Sequence, residues 1–258
     1  GDRVFVFSRG AAGEVIRCLD AATGKELWRD EYDALGADGP AQSFPGPRSS
    51  PAVAAGKVVT LGVRGMVSCL DSATGKVLWR KNDFPGAVPR FYTSSSPLIA
   101  SGMAVVQVGG PGNGGVAAYD LASGEPRWKW TGDGPGYASP AVMAVDGTDY
   151  VVAETESKIV VLTLSEGRLA WETPFAVQGR GYNAVSPVLE GTTLFYSGSN
   201  RGTTAVKLSK AENGLKGTPL WSNPEVSCMF ATPVLQGGFL YGLNAGNEFF
   251  CLDAASGS

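Results

Sequence analysis

A chain without histidine has a short list of chemistries open to it, and none of these 258 residues is histidine. Ser-His-Asp and Cys-His catalysis are excluded within them, as are zinc sites that need imidazole. The four cysteines, Cys18, Cys69, Cys228 and Cys251, form no Cys-x-x-Cys, which excludes haem attachment of the Cys-x-x-Cys-His kind. What remains are oxygen donors and cations. Asp133, Glu156, Asn183 and Asn200 carry the carboxylate and amide oxygens that calcium accepts, at a spacing that by itself defines no site. Arg48, Arg90 and Arg180 recur with Tyr92, Tyr137 and Tyr182 shortly before successive Ser-Pro pairs. Such an Arg and Tyr rim can hold an anionic or peptide ligand, and it can equally pack the loops it belongs to. Residues 109–115, Gly-Gly-Pro-Gly-Asn-Gly-Gly, lack Gly-Lys-Ser/Thr and open no helix, so they read as a loop between strands and not as a phosphate cradle. The net charge is −3 and the 21 basic residues are scattered, a balance that points away from nucleic acid as a partner.

Whatever these residues do, a repeat must position them. Residues 18–28, Cys-Leu-Asp-Ala-Ala-Thr-Gly-Lys-Glu-Leu-Trp, return as residues 69–79 and, more loosely, as 118–128; further copies end at Trp171 and Trp221, and another starts at Cys251. The tryptophans, Trp28, Trp79, Trp128, Trp171 and Trp221, are separated by 51, 49, 43 and 50 residues. A period of about 48 residues is that of a propeller or a similar array. Within a copy, residues 67–70 alternate as a strand, 71–75 supply a turn, and 76–79 restart an apolar strand. Asp20, Asp71 and Asp120 can accept backbone hydrogen bonds from the turn that follows, and Gly24, Gly75 and Gly124 can take the positive φ that a tight turn requires. The turn therefore fixes the register, and each indole lands on one face, where it can pack on the neighbouring unit and give its N–H one partner. A side chain repeated in every unit reads as a staple between units and not as a binding surface.

A second signal precedes each motif. Ser50-Pro51, Ser96-Pro97, Ser139-Pro140, Ser186-Pro187 and Thr232-Pro233 each open a short apolar strand, where proline costs no ladder hydrogen bond. A tight glycine turn and a second strand follow, so each unit reads as four antiparallel strands, A to D, with the Trp on D. Blade spans of about 1–31, 49–81, 95–130, 138–173, 185–222 and 231–258 follow from the repeat. The first blade starts at strand B and the last stops before strand D, which gives four full and two partial blades. The expectation is an incomplete ring whose parent closes at seven or eight blades, with two open sheet edges prone to association if it stands alone.

The pattern Ala/Cys-x-Asp-x-x-Thr/Ser-Gly-Lys/Glu-x-x-Trp closely resembles the tryptophan-docking motif of pyrroloquinoline-quinone (PQQ)-type β-propellers, and the resemblance runs the length of the chain. It implies an all-β propeller of four-stranded blades. The relatives it points to are PQQ-dependent alcohol dehydrogenases, propeller lipoproteins of outer-membrane assembly and PQQ-like repeat proteins of bacterial envelopes, so a periplasmic or secreted location follows from the resemblance. The dehydrogenases' adjacent Cys-Cys pair is missing, and their catalytic and calcium-binding residues find no match here.

Strand order places the A–B and C–D turns on one face and the longer B–C and D–A loops on the other, where binding is expected. Candidate ligand-binding residues are Arg48, Arg90, Tyr92, Tyr137, Arg180, Tyr182 and Asn183. No catalytic residue, metal or cofactor is expected; the reading is a non-catalytic envelope scaffold for a protein, peptide or glycan. The alternative is a PQQ- and calcium-dependent dehydrogenase of alcohols or sugars. Cys18, Cys69 and Cys251 occupy one repeat position, too far apart across blades to bridge, and are expected to be small buried thiols. No run of 18 apolar residues occurs, so no membrane-spanning helix is expected.

Overall fold

A computed structural model describes residues 1–177 and 182–258 and divides them into two compact units, residues 1–135 and 136–258. Both are built from antiparallel sheets, and no helix in them is long and apolar enough to cross a membrane. The first unit opens with a three-stranded sheet, β1 (Arg3–Arg9), β2 (Gly13–Asp20) and β3 (Glu26–Asp33). Two four-stranded sheets follow: β4 (Ala52–Ala54), β5 (Lys57–Leu61), β6 (Val67–Asp71) and β7 (Val77–Lys81), then β8 (Leu98–Ala100), β9 (Met103–Gly110), β10 (Asn113–Asp120) and β11 (Pro126–Trp130). The second unit holds β12 (Ala141–Val145), β13 (Thr148–Glu154), β14 (Lys158–Thr163) and β15 (Leu169–Pro174), then β16 (Val188–Glu190), β17 (Thr193–Ser197), β18 (Thr203–Ala211) and β19 (Gly214–Asn223). It ends on a three-stranded sheet, β20 (Val234–Gln236), β21 (Phe239–Leu243) and β22 (Phe249–Asp253). Every sheet is an up-and-down meander paired in sequence order, the build of a propeller blade.

The repeated motif explains the register. In the second sheet the Asp71 carboxylate accepts from Thr74 N at 2.8 Å, Thr74 Oγ1 at 2.7 Å and Ala73 N at 3.1 Å. Asp20, Asp120 and Asp253 hold their turns in the same way. Beyond each turn the ladder slips by one residue: Cys69 faces Trp79, while Leu70 faces Val77 and leaves Leu78 bulged. The same bulge precedes all five tryptophans of the repeated motif. It turns Leu27, Leu78 and Leu220 outward, at 48, 41 and 46 % exposure, and swings the indole that follows toward the neighbouring sheet. The residue opposite each indole is small: Cys18, Cys69, Ala118, Val161 and Ala205.

Trp79 Nε1 then donates to Leu121 O at 3.1 Å, and the ring lies on Gly124 of the next sheet's turn. Trp28 does likewise with Ser72 O at 3.2 Å and Gly75, and Trp221 with Ala254 O at 2.9 Å and Gly257. Trp171 departs from this pattern. The β18–β19 hairpin is longer than its counterparts, so Trp171 meets Gly217 within a strand in place of a turn glycine. Trp128 is buried at 8 % exposure. The sheets enclose apolar layers, one built on Val59, Trp79, Val106 and Tyr119, another on Val152, Val161, Leu194 and Val206.

The Ser/Thr-Pro signal has a function beyond opening a strand. Ser50 N donates to Ser96 Oγ at 2.9 Å, Ser139 N to Ser186 Oγ at 2.9 Å and Ser186 N to Thr232 Oγ1 at 3.0 Å. Each hydroxyl thus receives the N–H of the same position one repeat earlier, a second bond between sheets alongside the indole.

Two expectations need correction. The glycine run at 109–115 is a paired hairpin and not an open loop: Gly110 faces Asn113, Gly109 faces Gly114, and only residues 111–112 turn. Its glycines are needed because side chains at 109, 114 and 115 would strike the opposing backbone. Cys18 and Cys69 are buried free thiols as expected, Cys228 is another, and burial pushes the Cys69 thiol up to about 11, but Cys251, expected to be buried, is exposed. Its strand, β22, belongs to the final sheet, whose Phe249 is also 72 % exposed.

The turn carboxylates give a pH signature. Hydrogen bonds from the turn, led by the Thr74 hydroxyl, hold the Asp71 carboxyl below its usual range. A lowered folded-state pKa gives stability that is present above the unfolded value of about 3.9 and lost as pH falls through the lower folded value. Asp71→Asn keeps an acceptor oxygen but no charge. The wild type is therefore expected to exceed it in urea midpoint at pH 7, with the gap closing toward pH 3. A gap that does not change with pH would show that the charge contributes nothing.

Candidate functional site

In the first unit the D–A and B–C loops are tied down by arginines. The long segment 34–51 carries a 3-10 turn, Gly39–Ala41, and is gripped along its carbonyls. Arg9 donates to Ala34 O at 3.0 Å, Arg64 Nε to Gly36 O at 3.0 Å, and Arg48 to Phe44 O at 2.7 Å and, more weakly, to Ala41 O and Gly46 O. Arg64 also pairs with Asp38 at 2.8 Å and lies over the Tyr92 ring, 5.1 Å from its centroid. The Tyr92 hydroxyl donates to Asp38, and this bond, helped by Arg64, holds the Asp38 carboxyl below its usual range. Tyr92 is only 6 % exposed, packed with Ala37, Ala41 and Val63, and held at φ +67°. These pinned loops turn two large apolar side chains outward, Leu35 at 74 % and Phe44 at 78 % exposure.

A second knot lies close by. The buried Glu14 accepts from Val63 N at 2.7 Å and from the Tyr32 hydroxyl, and Arg80 pairs with Asp30 while lying 4.2 Å over the Tyr32 ring. Of the sequence candidates in this unit, Arg48 and Tyr92 are thus engaged inside the loops. Arg90 is exposed, 5.4 Å above the Phe91 ring, and Asp133 is partly exposed.

In the second unit Tyr137, Tyr182 and Asn183 come together. Tyr137 N donates to Asn183 O at 2.7 Å, and the Tyr137 and Tyr182 rings meet edge to face at 5.8 Å. Tyr182 in turn stacks at 6.3 Å on Phe230, an aromatic of the next D–A loop that is 63 % exposed. Three successive loops therefore present a row of aromatic rings. Arg180 lies outside the described residues. Glu156 and Asn200 are exposed, and Asn183 reaches Glu156 at its backbone carbonyl.

Beneath this row is a polar cluster. Asn183, 2 % exposed, donates its amide to Thr155 O at 2.8 Å, Phe175 O at 2.9 Å and Glu156 O at 3.2 Å. Arg201 Nη1 donates to the same Phe175 carbonyl at 2.6 Å, and its guanidinium lies 3.9 Å from the Phe175 ring centroid. Glu154, fully buried at the end of β13, has its carboxyl pushed well above the usual range by burial, against the opposing pull of Arg201. Burial lowers the Arg201 guanidinium in turn. Glu154, Arg201 and Phe230 escaped the sequence reading. A lone carboxylate closing the apolar run of residues 150–153 was the available signal for Glu154.

A family described as outer membrane protein assembly factor BamB matches residues 11–258. The chain belongs to that family. The BamB of Burkholderia pseudomallei strain K96243 is 26 % identical over 262 residues, covering 88 % of this chain and 64 % of its own length. The quinohemoprotein alcohol dehydrogenase of Comamonas testosteroni is 27 % identical over 123 residues, 46 % of this chain and 17 % of its own. Among solved structures, BamB from Moraxella catarrhalis superposes with a TM-score of 0.64 at 15 % identity, covering 97 % of this chain and 69 % of that one, a likeness that concerns the fold. The chain spans less than two thirds of the length of the two curated relatives named here.

Proposed function

We propose that this chain is the propeller of a non-catalytic, periplasmic or secreted cell-envelope scaffold, which binds a protein, peptide or glycan partner through its B–C and D–A loops. The observation that carries the reading is the presentation of Leu35, Phe44 and Phe230 at 74, 78 and 63 % exposure, the first two on a loop whose carbonyls three arginines grip. An ordered loop that carries two large apolar side chains into water offers a surface that a partner can cover. Membership of the BamB family supports an envelope setting.

The test is capture of envelope components by the intact protein, compared with a Leu35→Ala, Phe44→Ala, Phe230→Ala variant. Capture is expected to fall at least tenfold while the urea midpoint hardly moves, since these side chains bury little. Undiminished capture by the variant sinks the reading.

The second reading, a dehydrogenase using PQQ with calcium, draws on the identity with the Comamonas enzyme. Saturable binding of PQQ in the presence of calcium, with dye reduction by alcohols or sugars, would favour it.

A further inference from the structure

The loop reading leaves open what kind of partner is bound, and the charges beside the first unit's exposed apolar side chains narrow the choice. Each of those side chains has a guanidinium seated against the backbone next to it. Arg9 Nη2 donates to Ala34 O at 3.0 Å and Arg64 Nε to Gly36 O at 3.0 Å, the carbonyls of the residues on either side of Leu35. Arg48 Nη2 donates to the carbonyl of Phe44 itself at 2.7 Å. A hydrogen bond to a neutral carbonyl fixes a guanidinium in place without cancelling its charge. A fourth cation, Arg90, is exposed on the segment whose Tyr92, with Val88 and Phe91, packs against Ala37 and Ala41 of the same loop. Among the described residues neither Arg9 nor Arg90 enters an ion pair, and Arg9 Nη1 is buried without a hydrogen-bonding partner. Asp38 is the only acidic residue in the sequence of the loop, residues 34–51, and it pairs with Arg64. Two large apolar side chains are thus combined with four cations and a single loop carboxylate.

We propose that this surface takes an acidic, apolar segment of a partner protein, whose apolar side chains cover Leu35 and Phe44 and whose carboxylates face the arginines. The inference rests on the loop reading above and names the chemistry of its partner. Arginines fixed beforehand lose little freedom when a carboxylate arrives, and opposite charges around an apolar centre set the register of a complex. Asp38 shows the same recognition within the chain, its carboxylate accepting from the Arg64 guanidinium and the Tyr92 hydroxyl. A bilayer surface is the weaker match, because anionic headgroups would repel Asp38, whose side chain is 77 % exposed and lies between Leu35 and Phe44 in the loop sequence. An acidic polysaccharide would meet the arginines but has no apolar side chain to set against Leu35.

The test selects short random peptides, displayed on phage, against the intact protein and measures the affinity of the enriched sequences by fluorescence anisotropy. They are expected to set Asp or Glu beside Leu, Ile or Phe, and to bind less tightly as sodium chloride is raised. Their affinity should fall at least tenfold for a Leu35→Ala, Phe44→Ala variant and at least tenfold for Arg90→Glu, and stay near that of the wild type for Arg90→Lys. Arg90 is exposed and grips no loop carbonyl, so its variants should keep the urea midpoint. Neutral or basic peptides that need Leu35 and Phe44, yet bind Arg90→Glu as tightly as the wild type, would overturn this inference and leave the loop reading standing. Peptides indifferent to the loss of Leu35 and Phe44 would overturn both. Failure to enrich any peptide would overturn the inference too, and saturable binding to phosphatidylglycerol vesicles or to alginate in its place would give the surface to a membrane or a polysaccharide.

Discussion

Replacing Trp79 by alanine is expected to cost about 3–5 kcal/mol of folding stability, the usual penalty for emptying a large buried aromatic site. The indole is 7 % exposed, meets the Tyr119 ring at 6.0 Å and lies on Gly124. Its N–H donates to Leu121 O at 3.1 Å, so the substitution also leaves a carbonyl short of a donor between two sheets. Urea denaturation followed by far-UV circular dichroism measures the loss. A change under about 1 kcal/mol would show that the docking role is misassigned.

Gly124→Ala probes the other half of the same dock. Gly124 sits at φ +74°, which an L side chain enters at about 1–2 kcal/mol. A Cβ there would also stand 2.6 Å from Trp79 Cγ and Cδ2, and relieving that overlap in a packed layer costs about 1–3 kcal/mol more. The expected loss is therefore about 2–5 kcal/mol. Gly102→Ala separates the two contributions: its φ is +73°, but nothing lies within 4 Å of the added atom, so only the backbone cost should appear. Equal losses at the two sites in urea denaturation would mean that the indole does not rest on Gly124.

The dock was legible in the sequence because it is local and repeated. Asp71, Thr74, Gly75 and Trp79 lie within nine residues, and their chemistry specifies a turn, a register and a face whatever surrounds them. The one-residue bulge before each tryptophan was not legible. Nothing in Leu78 marks it as the residue left out of the ladder, and the slip appears only when Cys69 and Leu70 are paired. The serine hydroxyls before each proline were read for the strand they open and not for the bond they receive, since their partner lies about one repeat away. The candidate site was less legible still. Arg and Tyr were identified as loop residues, but Tyr92 turns inward and Tyr182 joins an open row, and the difference rests on Asp38 and Arg64 in one unit and Phe230 in the other. Such contacts join loops far apart in sequence, where no periodicity constrains them.

The β18–β19 hairpin bears on how a repeat of this kind can change length. Because Trp171 rests on Gly217 within a strand, the residues from 211 to 214 extend past the indole and close in a two-residue turn of their own. The stacking contact has been separated from the turn that supplies it elsewhere. Residues can change in number at such a hairpin tip while the stack beneath is kept only if a residue without a side chain stays level with the ring and another, as Gly214 does, lets the tip lie against Ala170 O, which a Cβ there would strike.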